Sequence, residues 1–359
     1  MNEEAHIIDT IDRIELSEGD SFLADRVAVL HEIEKHKNKQ SSLSIKLLSI
    51  LGGFLASVAF VAFLGIAGLF DSEASLLLFG LGSVIAAIWM DKAYDRLSID
   101  TLSISLYLIG LALITAGLMQ MKVDDNIVPL LFITIAIATL WVTKNYILSF
   151  LAFLAISGSF LSLIAINEVY NLLHLYTLSI ALLLSYLMLN EAKIITGNKK
   201  LAALYDSARI GLIISFLFPL TGLGKRNLIP VNVEYNWVTT FVLFMVLSYI
   251  IWLILALLKV KKQSTKISVY LLVLIIAITT AYSPAILGAI LVILLSFRVN
   301  YKTGLALGVT ALTYFIAQYY YDLNLTLLTK SIILFLSGLV FTGLYLLVKS
   351  RTRDSNGIG

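Results

Sequence analysis

The 359-residue chain has no cysteine, which excludes disulfide frameworks, thiolate zinc sites, covalent haem attachment and cysteine nucleophiles. Four prolines and four histidines leave few helix breaks and few imidazole ligands. Charged residues make up only 14% of the chain, against roughly 25% in a soluble domain. Hydrocarbon takes their place: 59% of residues are hydrophobic and mean hydropathy is +0.92. These values describe an all-α, polytopic transmembrane helix bundle with the lipid bilayer as its main partner.

A basic signal-peptide start is also missing. Residues 1–34 hold ten acids and two bases, so no cleaved targeting segment is expected. Lys35, Lys37, Lys39 and Lys46 then precede the first apolar run. The net charge of +3 reflects such juxtamembrane bases, and nucleic acid is not an expected partner. Helical spacing appears in Ile7, Ile8, Ile11 and Ile14, and again in Phe22, Leu23, Val27, Leu30 and Ile33. Residues 1–46 therefore read as an acidic cytoplasmic tail with two short amphipathic helices. So short a segment buries little core alone, and its apolar faces pack on each other, on the membrane domain or on a partner.

A helix needs about 20 apolar residues to cross the hydrocarbon core. Twelve spans fit that ruler, at 47–69, 74–90, 101–119, 127–142, 146–166, 170–189, 208–223, 237–258, 268–282, 284–297, 303–319 and 326–348. They define a transmembrane domain over 47–348, followed by a basic tail over 349–359. With both termini in the cytoplasm, 22 of the Lys and Arg residues fall inside and 4 outside, the latter being Lys122, Lys225, Arg226 and Lys330. That asymmetry fits the positive-inside rule and a bacterial cytoplasmic (inner) membrane. Spans 268–282 and 284–297 reach only about 22 Å each at 1.5 Å per residue. They read as a short hairpin turning at Tyr282-Ser283-Pro284, because one kinked helix would change the split to 18 and 8. Trp89, Trp141 and Trp237 fall at span ends, where indoles favour the interface, while Trp252 lies deep.

No ionisable group stands in the middle of a span. Asp91, Glu168, Glu191, Asp206, Arg209, Asp322 and Lys330 lie near span ends and can reach the interface. This speaks against a proton pump or a multi-charge voltage sensor. His174, one turn into its span, reads either as a proton or ligand contact with Glu168 or as a hydrogen-bonded interfacial histidine. His6, His31 and His36 lack metal-ligand spacing. Gly222-Leu-Gly224-Lys225-Arg226 lacks the spacing of a phosphate-binding loop. No catalytic constellation emerges, and the chain is expected to be neither an enzyme nor a cofactor binder. Gly304 and Gly308 form a small-residue row with Ala311, suited to close helix packing within the chain or to a seam with another membrane protein.

The C-terminal run from Tyr320 and Tyr321 through Asp322, Leu323, Thr326, Leu327, Leu328, Lys330 and Ser331 is similar to the closing signature of the bacterial membrane family catalogued as domain of unknown function 4401. The first span, LLSILGGFLASVAFVAFLGI, and the third, IDTLSISLYLIGLALITAGL, fit the same family, so the resemblance covers roughly residues 40 to 350. Gly110 is followed by Leu111, where relatives often carry Gln. The resemblance implies a multi-span membrane protein, grouped with other multi-span proteins in a membrane complex. Within a helix Asp322 and Lys330 are about 12 Å apart and cannot pair. Asp322 reads instead as an N-cap, and the tyrosines as part of an interfacial aromatic belt. Lys330 reads as an interface anchor or as an inward-facing partner for an anion.

Two functions fit. The first is transporter-like binding or translocation of a small molecule. The second is a non-catalytic component assembling with partner membrane proteins through residues 1–40 or the Gly304/Gly308 face. A polar midplane cavity would favour the first, and a filled bundle with an exposed small-residue face the second.

Overall fold

The computed structural model describes residues 43–66, 68, 71–93, 97–143, 145–224, 235–281 and 283–322. The expected tail helices, the expected span 326–348 and Lys330 lie outside the described residues. Helices fill nearly all of what is described, and no strand occurs among these residues. In chain order they are α1 (Leu43–Ile66), α2 (Glu73–Ala93), α3 (Leu97–Gln120), α4 (Ile127–Val142), α5 (Tyr146–Ile166), α6 (Leu172–Leu189), α7 (Glu191–Gly197), α8 (Lys199–Gly224), α9 (Asn236–Leu257), α10 (Gln263–Thr279), α11 (Pro284–Arg298) and α12 (Lys302–Asp322).

Six of them, α2, α3, α5, α6, α8 and α9, are long and apolar enough to cross a membrane. Large apolar side chains stand exposed along them and their neighbours, among them Leu55, Phe63, Phe79, Trp141, Phe218 and Trp252. A water-facing surface does not carry so much contiguous hydrocarbon. Many Ser and Thr residues in these helices turn their hydroxyls back onto the carbonyl four residues earlier, as Thr115 does to Leu111 (2.9 Å) and Thr177 to Leu173 (2.7 Å). Those hydroxyls are thereby satisfied without water.

Helices α4 and α5 match their expected spans. Helix α8 starts at Lys199 rather than at 208, with the short α7 before it. The apolar run marks where hydrocarbon begins, whereas helical hydrogen bonding continues through the polar Lys199–Ser207 stretch. Four helices end in one motif. Lys122, Glu168, Lys259 and Asn300 adopt left-handed φ between 50° and 55°. The amide that follows each donates back five residues: Val123 to Leu118, Val169 to Ile164, Val260 to Leu255 and Tyr301 to Ser296. These are Schellman caps with a polar residue where glycine is usual.

The helices pack in two groups. In the first, α2 lies against α3 at glycines: a Cβ on Gly110 would stand 2.7 Å from the Gly80 carbonyl oxygen and 3.0 Å from the Val84 amide nitrogen. Helix α1 joins them through Ser57, whose hydroxyl donates to the Ser105 carbonyl (3.0 Å). The second group surrounds α11, which packs against α6, α8, α9 and α12. Ten of its fifteen residues are buried, on every side of the helix. Being wrapped by protein, it need not match the bilayer thickness, which explains its short length.

Two helices, α10 and α11, stand where one kinked helix was the alternative. Ser283 N–H donates to the Thr280 carbonyl (2.8 Å), and Pro284 opens α11. The arms do not form a tight hairpin, because α10 packs on α9 instead. The Gly304/Gly308 row is not a free face. A Cβ on Gly308 would meet Ile293 Cγ1 at 2.8 Å, and one on Gly304 would collide with Ser296 and Tyr301. Helix α11 lies against the row, the packing within the chain that was the first of its two readings.

Candidate functional site

The sequence candidates do not converge. His174 is buried on α6, with Nδ1 2.8 Å from Thr239 Oγ1 on α9 and its ring edge-on to Tyr235. Glu168 stands exposed as the left-handed cap of α5, and the two do not pair. Tyr320 and Tyr321 make an edge-to-face pair at the end of α12, with Tyr321 exposed. Asp322 closes that helix, and its expected capping of a following span lies outside the described residues. No cluster of three metal-ligating side chains occurs among the described residues.

Charge divides the bundle into two ends. Lys92, Lys193, Lys199, Lys200, Lys259, Lys261, Lys262, Arg298 and Lys302 lie near the α2/α3, α6/α8, α9/α10 and α11/α12 connections. Asp71, Glu73, Asp124, Asp125 and Glu168 mark the opposite end, with Lys122.

The lysine-rich end is cross-linked by ion pairs and hydrogen bonds between helices. Arg209 on α8, its side chain 11% exposed, pairs with Asp206 at 2.6 Å and with Glu191 on α7 at 3.4 Å. Its guanidinium sits 3.7 Å from the Tyr301 ring centroid and 5.1 Å from that of Tyr205. Burial pushes the Tyr301 phenol above its ordinary value, and the Arg209 charge pulls it partly back. Nearby, Thr143 donates to the Asp91 carboxylate, joining the end of α4 to α2. Lys200 Nζ donates to the Trp141 carbonyl (2.6 Å), joining α8 to α4. The sequence showed Arg209 only as a span-end charge; its partners come from three separate segments.

A cavity extends toward the opposite end. Helices α2 and α3 meet α4 and α5 sparingly, and a cavity of about 680 Å³ lies between α3, α4 and α5. Leu111, Phe132 and Leu154 contribute apolar wall, while Tyr107, Thr115, Ser159 and Ser162 bring hydroxyls. Tyr107 and Met119, both on the wall, are twelve residues apart on α3, so the cavity runs about 18 Å along the helix. At its mouth it shares Met119, Asp125 and Ile166 with a more polar space of about 580 Å³ that also touches Lys122, Asp124 and Asn126.

Local hydrogen bonds shape this rim. The α3 cap sets Lys122. Asp124 Oδ1 accepts from the Asn126 backbone (2.8 Å) and side chain (2.9 Å), and Asn167 Nδ2 donates to Asn126 Oδ1 (2.7 Å), linking the rim to α5. The sequence reading passed over this cavity. One trace was visible: Ala155, Ser159 and Ser162 recur at helical spacing on α5, a small polar stripe in an apolar helix.

No curated protein and no solved structure matches the chain significantly. A family model does, over residues 42–351, nearly the whole chain, and with it the all-helical, apolar architecture has its place: the chain belongs to the family described as Domain of unknown function (DUF4401).

Proposed function

We propose that the chain is a twelve-span protein of a bacterial cytoplasmic membrane, with both termini and the lysine-rich end in the cytoplasm, and that it binds or moves a small molecule through the α3/α4/α5 cavity. The cavity carries this reading. It opens at the acidic end, reaches Tyr107 near the middle of α3, and lies opposite an end tied by Arg209, Lys200 and Asp91. A pocket open on one side and closed on the other is the resting geometry that alternating access requires. The largely apolar wall favours an apolar or amphiphilic molecule over a sugar or an inorganic ion.

The absence of cysteine makes the test direct. Ser162→Cys, on the cavity wall, should react with a membrane-impermeant maleimide added to spheroplasts, and Ser149→Cys, buried at the other end of α5, should not. Equal labelling of both, or none of Ser162→Cys, overturns the reading. Assembly through residues 1–40 is the competing proposal, supported by the tail's acidity and its two apolar stripes. Affinity capture with and without those residues tests it, and identical captures would remove it.

A further inference from the structure

We infer that the cavity takes one hydrocarbon chain of a zwitterionic membrane amphiphile, with its phosphate facing Lys122 and its ammonium facing Asp125. This rests on the small-molecule reading above and names the class of molecule. Length is the first argument. The wall from Tyr107 to Met119 measures about 18 Å, close to the roughly 15 Å of one leaflet, half of the 30 Å hydrocarbon core. A chain lying beside the bundle in the bilayer thus spans the same depth as the cavity, and can enter it without moving its headgroup off the membrane surface.

Chemistry is the second argument. The inner space is walled by hydrocarbon with a few hydroxyls, whereas the space above it is bounded by Lys122, Asp124, Asp125 and Asn126. Asp124 and Asn126 spend their side chains on each other and on Asn167. Lys122 and Asp125 have no side-chain hydrogen bond or ion pair among the described residues, so a base and an acid without a protein partner face the compartment where a headgroup would sit, beside the Asp124 carboxylate. A purely anionic headgroup would match Lys122 but meet the carboxylates of Asp124 and Asp125, and a purely cationic one would match the carboxylates but be repelled by Lys122; a zwitterion offers a charge to each.

Gly158 supplies the decisive variant. It lines the cavity, and an added Cβ there meets no atom within 4 Å, so the side chain of Gly158→Leu starts in open space on the cavity wall. The probes are palmitoyl-lysophosphatidylethanolamine and palmitoyl-lysophosphatidylglycerol, titrated onto the detergent-purified full chain and read by native mass spectrometry. Protection of Ser162→Cys from maleimide is read in parallel. The expected result is an ethanolamine-lipid adduct that protects Ser162→Cys, weakens at least tenfold in Gly158→Leu, and loses its preference over the glycerol lipid in the double variant Lys122→Gln, Asp125→Asn. Equal binding of both lipids by the unmodified protein overturns the headgroup assignment. A cavity that labels in Ser162→Cys but binds neither lipid overturns the amphiphile while leaving the small-molecule reading intact. Failure of Ser162→Cys to label at all overturns both.

Discussion

The same substitution at two glycines should change stability in opposite directions, because only one of them holds helices together. In Gly110→Ala, the new Cβ stands 2.6 Å from Val84 Cγ2, 2.7 Å from the Gly80 carbonyl oxygen and 3.0 Å from the Val84 amide nitrogen. Two of these atoms are backbone, so no rotamer change relieves them. Ordinary contact begins near 3.4 Å, and α2 and α3 must part by about 0.7 Å. A gap of that size forfeits about a quarter to a half of each van der Waals contact along the seam. Overpacking of this kind costs about 1–3 kcal/mol, offset by about 0.5–1 kcal/mol of helix propensity gained from losing a glycine. The net loss is about 0.5–2 kcal/mol. In Gly158→Ala the Cβ meets nothing within 4 Å, so only the propensity gain remains. At about 2–4 °C per kcal/mol, Gly110→Ala should lower the melting temperature in detergent by about 1–8 °C. Gly158→Ala should leave it level or raise it by about 1–4 °C. Differential scanning fluorimetry of the two purified variants decides the matter. Equal shifts would refute the close approach of α2 to α3, and with it the placement of one cavity wall.

Removing the Arg209 guanidinium in Arg209→Met strands Glu191 and Asp206 and should destabilise by about 2–4 kcal/mol, below the usual figure for a buried pair because Asp206 is largely exposed. A melting temperature unchanged within a degree would show that the cluster ties nothing. Tyr301 has its folded-state pKa raised above the unfolded value, so its contribution is intact below about pH 10 and lost as pH rises through the folded pKa. The melting temperature should therefore fall above pH 10, and fall less steeply in Tyr301→Phe, which keeps the ring beneath Arg209; an equally steep fall would remove Tyr301 as a cause. Gly308→Leu should destabilise by about 1–3 kcal/mol with no change in molar mass by light scattering, because its neighbour is α11 of the same chain. A dimer that becomes a monomer at unchanged stability would reverse that assignment.

Where helices form was legible because lipid imposes one rule on every span: backbone groups bond within the helix, and side chains are apolar. Composition and run length report that rule directly, and α4 and α5 coincide with their runs. Helix ends were less legible, since hydrogen bonding outlasts hydropathy, as the extension of α8 to Lys199 shows. The caps at Lys122-Val123, Glu168-Val169, Lys259-Val260 and Asn300-Tyr301 do carry a repeated pattern, a polar residue followed by an apolar or aromatic one. That pattern is too short to stand out in a single chain.

The sequence by itself determined that the described residues are helical and apolar, and that Lys and Arg residues gather between the apolar runs rather than within them. Each of these follows from how residues partition between water and hydrocarbon, one position at a time. Only the tertiary structure decided which helix would be wrapped on all sides, which glycines would be filled, and where a space would be left. Helix α11 looks too short to span alone, and it stands at the centre of its group. Gly308 and Gly158 both stand inside apolar helices, yet one is packed against Ile293 and the other faces a cavity. The physical reason is that hydrocarbon tails and hydrocarbon side chains attract a helix almost equally. Hydropathy therefore cannot distinguish a neighbour from lipid, and shape makes that choice.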